Sequence, residues 1–142
     1  MTFWDSSALV PLFLEEPASS SARTIARADP YFIVWTLAPV EIWGAACRRR
    51  RAGDIDETTL AAIRKRIAKR AAGWSLMPDS AALRSEVERV LHEHDLRAAD
   101  ALQLAAAVVA FGGAPRKRPF VCADDRLLAA ARAEGFATIR PA

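Results

Sequence analysis

Short runs of β-branched and aromatic residues alternate with longer segments of helical periodicity along this chain. That alternation restricts the fold more than any other feature of the sequence. "TFWD" (2–5), "YFIVW" (31–35), "WSLMP" (74–78), "PFVCA" (119–123) and "FATIR" (136–140) read as strands. Between them, "SSALVPLFLEE" reads as one helix capped by Ser6 or Ser7, with Pro11 near its first turn. "SSSARTIARA" reads as a second helix with a serine cap. "APVEIWGAACRRRRAG" is a helix that stops at Gly53. "DETTLAAIRKRIAKRAAG" carries Leu60, Ile63 and Ile67 at helical spacing. "DSAALRSEVERVLHEH" starts at Asp79 or Ser80, "RAADALQLAAAVVAFGG" is alanine-rich and ends before Gly112, and "DDRLLAAARAEG" precedes the last strand. The alternation predicts an α/β fold: a central, mainly parallel sheet of about five short strands between two helical layers, a three-layer α/β/α arrangement. The strands are near-continuous apolar runs, as strands buried on both faces should be.

A chain of 142 residues fits one domain, spanning 1–142, with a real core. Hydrophobic residues at 52% and charged residues at 26% exclude a disordered chain. The longest apolar candidate, "ALQLAAAVVAFGGAP", is too short and too glycine-broken to span a membrane, and no basic segment followed by a long apolar one marks a secretory signal. Cys47 and Cys122 match no zinc or redox spacing, which points to a reduced, cytoplasmic setting.

In parallel sheets, ligands bind beyond the carboxyl ends of the strands. Four acids fall there. Asp5 closes the first strand, Glu41 lies in the first turn after "YFIVW", Asp100 lies in the first turn of the alanine-rich helix, and Asp124 follows "PFVCA". Singly, each can cap a helix or pair with its dipole, although Asp5 has Ser6 and Ser7 beside it to serve as caps. Together they repel one another, and a divalent cation with hard oxygen ligands, Mg²⁺ or Mn²⁺, removes the conflict. Such a site suits phosphoryl chemistry. The net charge of +3 is unevenly spread: "RRRR" (48–51), "RKRIAKR" (64–70) and "RKR" (116–118) form basic clusters suited to backbone phosphates.

At these residues the sequence resembles the PIN-domain ribonucleases, in particular the VapC toxins of bacterial toxin–antitoxin pairs. "DSSALVPLFLEEP", "APVEIWGAACRR", "LRAADALQLAAA" and "FVCADDRL" carry the likeness, in that order and over essentially the whole chain. The resemblance implies a PIN-like domain and a metal-dependent endoribonuclease with Asp5, Glu41, Asp100 and Asp124 as the acidic quartet. Asp5 and Asp100 would contact the metal directly or through water, Glu41 would position water or assist its deprotonation, and Asp124 would complete the site. Ser6 or Ser7 would hold an acid or bind a phosphate. Asp125 is read as a first-turn helix acid outside the quartet. Water would attack an RNA phosphodiester in line, leaving a 5′-phosphate and a 3′-hydroxyl. The resemblance further implies a cognate antitoxin and a homodimer.

Arg48, Arg49, Arg97, Arg116 and Lys117 are the candidate RNA contacts. His92 and His94 are two apart on a helix and read as surface residues. Trp4, Trp35, Trp43 and Trp74 read as packing residues, three of them in strands, with Trp43 beside the expected cleft. Among rivals, a phosphatase of the haloacid-dehalogenase type needs an acid where Ser7 stands. A receiver module would want a phosphoacceptor Asp after a central strand and a late lysine. A non-catalytic or RNA-processing RNA-binding protein on the same fold would tolerate a broken acidic set, yet all four positions are filled.

Overall fold

In the computed structural model, which describes residues 1–142, the strands are β1 (Thr2–Trp4), β2 (Phe32–Trp35), β3 (Ser75–Met77), β4 (Pro119–Val121) and β5 (Ala137–Ile139). The helices are α1 (Ser6–Leu9), α2 (Ser19–Ala28), α3 (Ala38–Arg51), α4 (Glu57–Ala71), α5 (Ala81–Glu93), α6 (Ala98–Ala110) and α7 (Asp125–Glu134). All strand pairs are parallel, in the order β3-β2-β1-β4-β5. β1 is central, with Phe3 opposite Ile33 on one side and Phe120 on the other.

Side chains alternate across a strand, so each strand feeds two cores. Phe3, Ile33, Trp35 and Phe120 pack on one face against α5, α6 and α7. Trp4, Phe32, Val34 and Val121 pack on the other against α1 to α4. This is the expected three-layer arrangement. The alanines of α6 explain how a helix approaches the sheet so closely: Ala101, Ala105, Ala106 and Ala107 are all fully buried. Leu60, Ile63 and Ile67 form the buried stripe of α4 as their spacing requires, and Gly53 takes the positive φ of 83° that ends the α3 segment. No helix is long and apolar enough to cross a membrane.

Five local expectations need correction. The segment after β1 is not one helix. α1 is a single turn that tightens into a 3-10 turn at Val10–Leu12, because Pro11 removes a donor there. Ser6 and Ser7 do not cap it; the cap is Asp5, which accepts the Ser7 N–H. α2 also lacks a side-chain cap: Ser19 instead accepts from Glu16 N–H at 2.9 Å and donates to the Leu14 carbonyl at 3.1 Å. The uniformly buried strands are β1, β2 and most of β4, whereas the edge strand β3 is largely exposed and the edge strand β5 is mostly half-buried. Trp74 precedes β3 and packs edge-on to Phe13 and flat on Phe32, so two tryptophans, not three, lie in strands. Trp4 is fully buried, with its ring 4.6 Å from that of Phe32.

Candidate metal centre

The parallel sheet sends β1, β2 and β4 toward one edge, and the chain leaves each of them into a helix at that edge. Asp5 immediately follows β1 and is 4% exposed. Its backbone N–H donates to the Val121 carbonyl at 2.9 Å, which locks it against the end of β4. Its Oδ2 accepts the Ser7 N–H at 3.1 Å, the Ser7 hydroxyl, and the Cys122 thiol at 3.5 Å. Its Oδ1 accepts no hydrogen bond from the protein and is not among the buried unpartnered atoms, so it faces the open side. Asp124 is bound similarly: Oδ1 caps α7 through the Leu127 N–H at 2.9 Å, leaving Oδ2 without a protein donor. Capping and metal binding are therefore compatible, since each acid uses one oxygen for the helix and keeps one.

Asp100 lies in the first turn of α6, is half-buried, and receives no hydrogen bond on either oxygen. Glu41, in the first turn of α3, turns its Oε1 inward to accept from Gln103 Nε2 at 3.0 Å. The four acids are one electrostatic group. Burial pushes the Asp5 carboxyl above its ordinary value, and Asp100 adds to the rise. Burial likewise raises Glu41, helped by repulsion from Asp5 and Asp100. Burial raises Asp100, with repulsion from Asp124 added and with Arg97 and Arg126 opposing it. A chain of like charges thus runs Glu41–Asp5–Asp100–Asp124, as the sequence predicts.

The donor set fits a hydrated cation and not a dry cage. Oxygens without protein donors remain on Asp5, Asp100 and Asp124, and ionising these carboxyls together is unfavourable unless positive charge is added. No three of these acids bring ligand atoms within 4.8 Å of one another. Mg²⁺ keeps several waters and binds through one or two carboxylates, so it does not require that tighter spacing. This spacing accords with contact through water at one or more of Asp5, Asp100 and Asp124.

One cluster does meet the tighter spacing, Glu93, His94 and Glu134. It already contains a cation. Arg89 bonds Glu86, Glu93 and Glu134, and His94 Nε2 lies 2.8 Å from Glu134. Arg89 holds the Glu134 carboxyl below the usual range, so this is a clasp between α5 and α7. His94 is half-buried within it and is not the surface residue its spacing suggested; His92 is exposed.

The serines divide their work. Ser7 holds Asp5 and accepts the Ala123 N–H at 2.9 Å, tying β1 to the Asp124 segment. Ser6 is buried and accepts from Gln103 at 2.7 Å. Asp125 is exposed, outside the quartet, and pairs with Arg140. The basic candidates separate. Arg48 and Arg49 line a groove that begins at Ser7, where Arg49 pairs with Glu16 at 2.8 Å. Arg97 stands at the start of α6, close enough to lower Asp100. Arg116 and Lys117 precede β4 and so lie at the amino edge of the sheet, opposite the acids. They are not brought to the site. Trp43 is half-buried on α3 under the Arg64 guanidinium, 5.8 Å from the ring centroid.

Three residues of the site went unread in the sequence. Gln103 is 1% exposed and bridges Ser6 and Glu41. Its signal was legible: a lone amide three residues after Asp100 on an otherwise apolar helix. Cys122 joins Asp5 to the backbone of Asp124, accepting the Asp124 N–H at 3.2 Å. Burial raises this thiol steeply, so it acts as a neutral donor. Arg126 opposes the rise at Asp100, and nothing in its spacing announced that.

No protein-family model matches the chain, and no curated protein matches it. Among solved structures it is similar to PAE2754 from Pyrobaculum aerophilum, at 20% identity and a TM-score of 0.65, covering 98% of this chain and 87% of that one. At that identity the likeness speaks for the fold.

Proposed function

We propose that the chain is a metal-dependent endoribonuclease of the PIN-domain type, acting as the toxin of a toxin–antitoxin pair. One observation carries the reading: four carboxylates from four separate segments lie at the carboxyl edge of one parallel sheet, and burial with neighbouring negative charge pushes those of Asp5, Glu41 and Asp100 above their ordinary values. Asp5 Oδ1, Asp100 and Asp124 Oδ2 are the atoms that would hold Mg²⁺ or Mn²⁺. When bound, the ion supplies positive charge to a phosphate oxygen and lowers the pKa of a coordinated water.

The protein's own groups do the rest. Ser7 and Cys122 fix the Asp5 carboxylate so that one oxygen stays presented. Gln103 fixes Glu41, whose raised pKa suits a group that takes a proton from water near neutral pH. Arg48 stands beside Ser7 as a phosphate contact, and Arg97 stands beside Asp100. The toxin role, the antitoxin partner and the homodimer follow from the sequence resemblance. The two free cysteines, Cys47 and Cys122, support a reducing cytoplasmic setting.

The test is cleavage of end-labelled RNA by the purified chain. Cleavage should need Mg²⁺ or Mn²⁺, stop in EDTA, and disappear in Asp5→Asn and Asp100→Asn. Growth arrest on induction, abolished by the same substitutions, tests the toxin role.

A further inference from the structure

At the amino edge of the sheet, away from the acids, lies a second groove of about 1020 Å³. Apolar side chains line it, including Met1, Ile33, Phe111 and Pro119, with Arg116, Lys117 and Arg118 among them. No acid lines it, and none of the three cations takes part in an ion pair. Their backbone is unusual. The Arg118 N–H donates to the Pro115 carbonyl at 2.8 Å, closing a turn whose central residues, Arg116 and Lys117, have φ of 42° and 58°. Positive φ at both central positions defines a type I′ turn, in which Asn-Gly is the favoured pair. Here two long cations stand where Asn and Gly would fold more easily. Local folding preference does not account for them, and a charged occupant would.

We propose that this groove docks an acidic peptide segment that carries apolar side chains. The cations demand negative charge, and Arg offers a planar fork that matches a carboxylate. The apolar lining demands apolar side chains between those charges. A nucleic-acid strand fits less well. Phe111 is the one aromatic ring in the lining. It is occupied by the Arg118 guanidinium 5.6 Å from its centroid and by Phe136 at 6.1 Å, so no base can stack there without displacing Arg118. The proposal does not depend on the chemistry of the acidic site.

The probe is a short synthetic peptide alternating Glu and Leu, titrated into the full-length ¹⁵N-labelled protein. Amide shifts should change at Thr2 and Ile33 and across Phe111 to Arg118. Affinity should fall with salt, and it should fall at least tenfold in the double variant Arg116→Asn/Lys117→Gly. That variant supplies the residues a type I′ turn favours, so it should fold at least as well as the parent, and lost binding cannot be ascribed to misfolding. The same peptide with Gln for Glu should not bind. Equal binding by the Gln peptide, shifts confined to the α3–α4 basic face, or no shifts would overturn the proposal. So would stronger perturbation of the same amides by oligouridine in EDTA, which would assign the groove to RNA.

Discussion

At the scale of single residues, Asp100 and Gln103 are the two that separate a metal site from a merely structural one. Asp100 receives no hydrogen bond, yet burial and Asp124 raise its carboxyl. A raised carboxyl binds its proton more tightly in the folded chain than in the unfolded one. Its contribution to stability is full below the unfolded value, 3.8 for Asp and 4.5 for Glu, and is lost as pH rises through the folded value. Without metal, Asp5, Glu41 and Asp100 therefore weaken the fold at neutral pH. Asp100→Asn should raise the melting temperature in EDTA at neutral pH by about 2–4 °C, with the gain vanishing toward about pH 4. The same substitution should remove the extra stability that Mn²⁺ gives the parent. Thermal scans against pH, with and without Mn²⁺, check both. Gln103 is a different kind of residue. A buried amide in an alanine-rich helix is costly unless bonded, and its partners are Ser6 and Glu41 while its own Oε1 has none. Gln103→Leu should leave the melting temperature within a few degrees. It should lower Mn²⁺ affinity or kcat about 10–100-fold, the range typical of residues that orient ligands. A melting temperature that collapses, or kinetics and Mn²⁺ titrations identical to the parent, would remove Gln103 from the site.

At the scale of elements, strand and helix identities were legible because periodicity and apolar runs report burial directly. Ends and caps were less so. Asp5 caps α1 although two serines stood available, because the chain turns sharply out of β1 and only the residue at the turn reaches the Ser7 N–H. His94 looked like a surface residue because its partner, Glu134, lies on α7, 40 residues on, and no local spacing joins them. That clasp should matter to stability. Arg89→Met removes charged hydrogen bonds to three carboxylates and should cost about 1–3 kcal/mol in urea unfolding at neutral pH. Glu134, held below its ordinary 4.5 by Arg89, contributes stability that is present above that value and is lost as pH falls through the lowered one. Glu134→Gln should therefore flatten the acid limb of the stability curve. An unchanged acid limb would show that the clasp is electrostatically idle.

At the scale of the whole molecule, the topology converts sequence order into a site. Asp5, Glu41, Asp100 and Asp124 are scattered over most of the chain, yet β1 sits between β2 and β4, so the first acid meets the others at one edge. This much could be argued from the rule that parallel sheets gather function at their carboxyl edge. The same rule, applied to the cations, separates Arg97, at the start of α6, from Arg116 and Lys117, whose loop enters β4 and does not leave it, whereas Arg48, in the last turn of α3, is joined to Ser7 only by the groove they both line. The sequence could not supply distances, and distance decides between a closed cage and a hydrated ion. The most direct test is cleavage of one end-labelled RNA by the parent and by Asp100→Asn, each with Mg²⁺ and with EDTA, alongside their melting temperatures. The parent should cut only with Mg²⁺ and leave 5′-phosphate ends. Asp100→Asn should not cut, while melting at or above the parent's temperature in EDTA. Cleavage that persists in EDTA, or in a folded Asp100→Asn protein, would contradict the account.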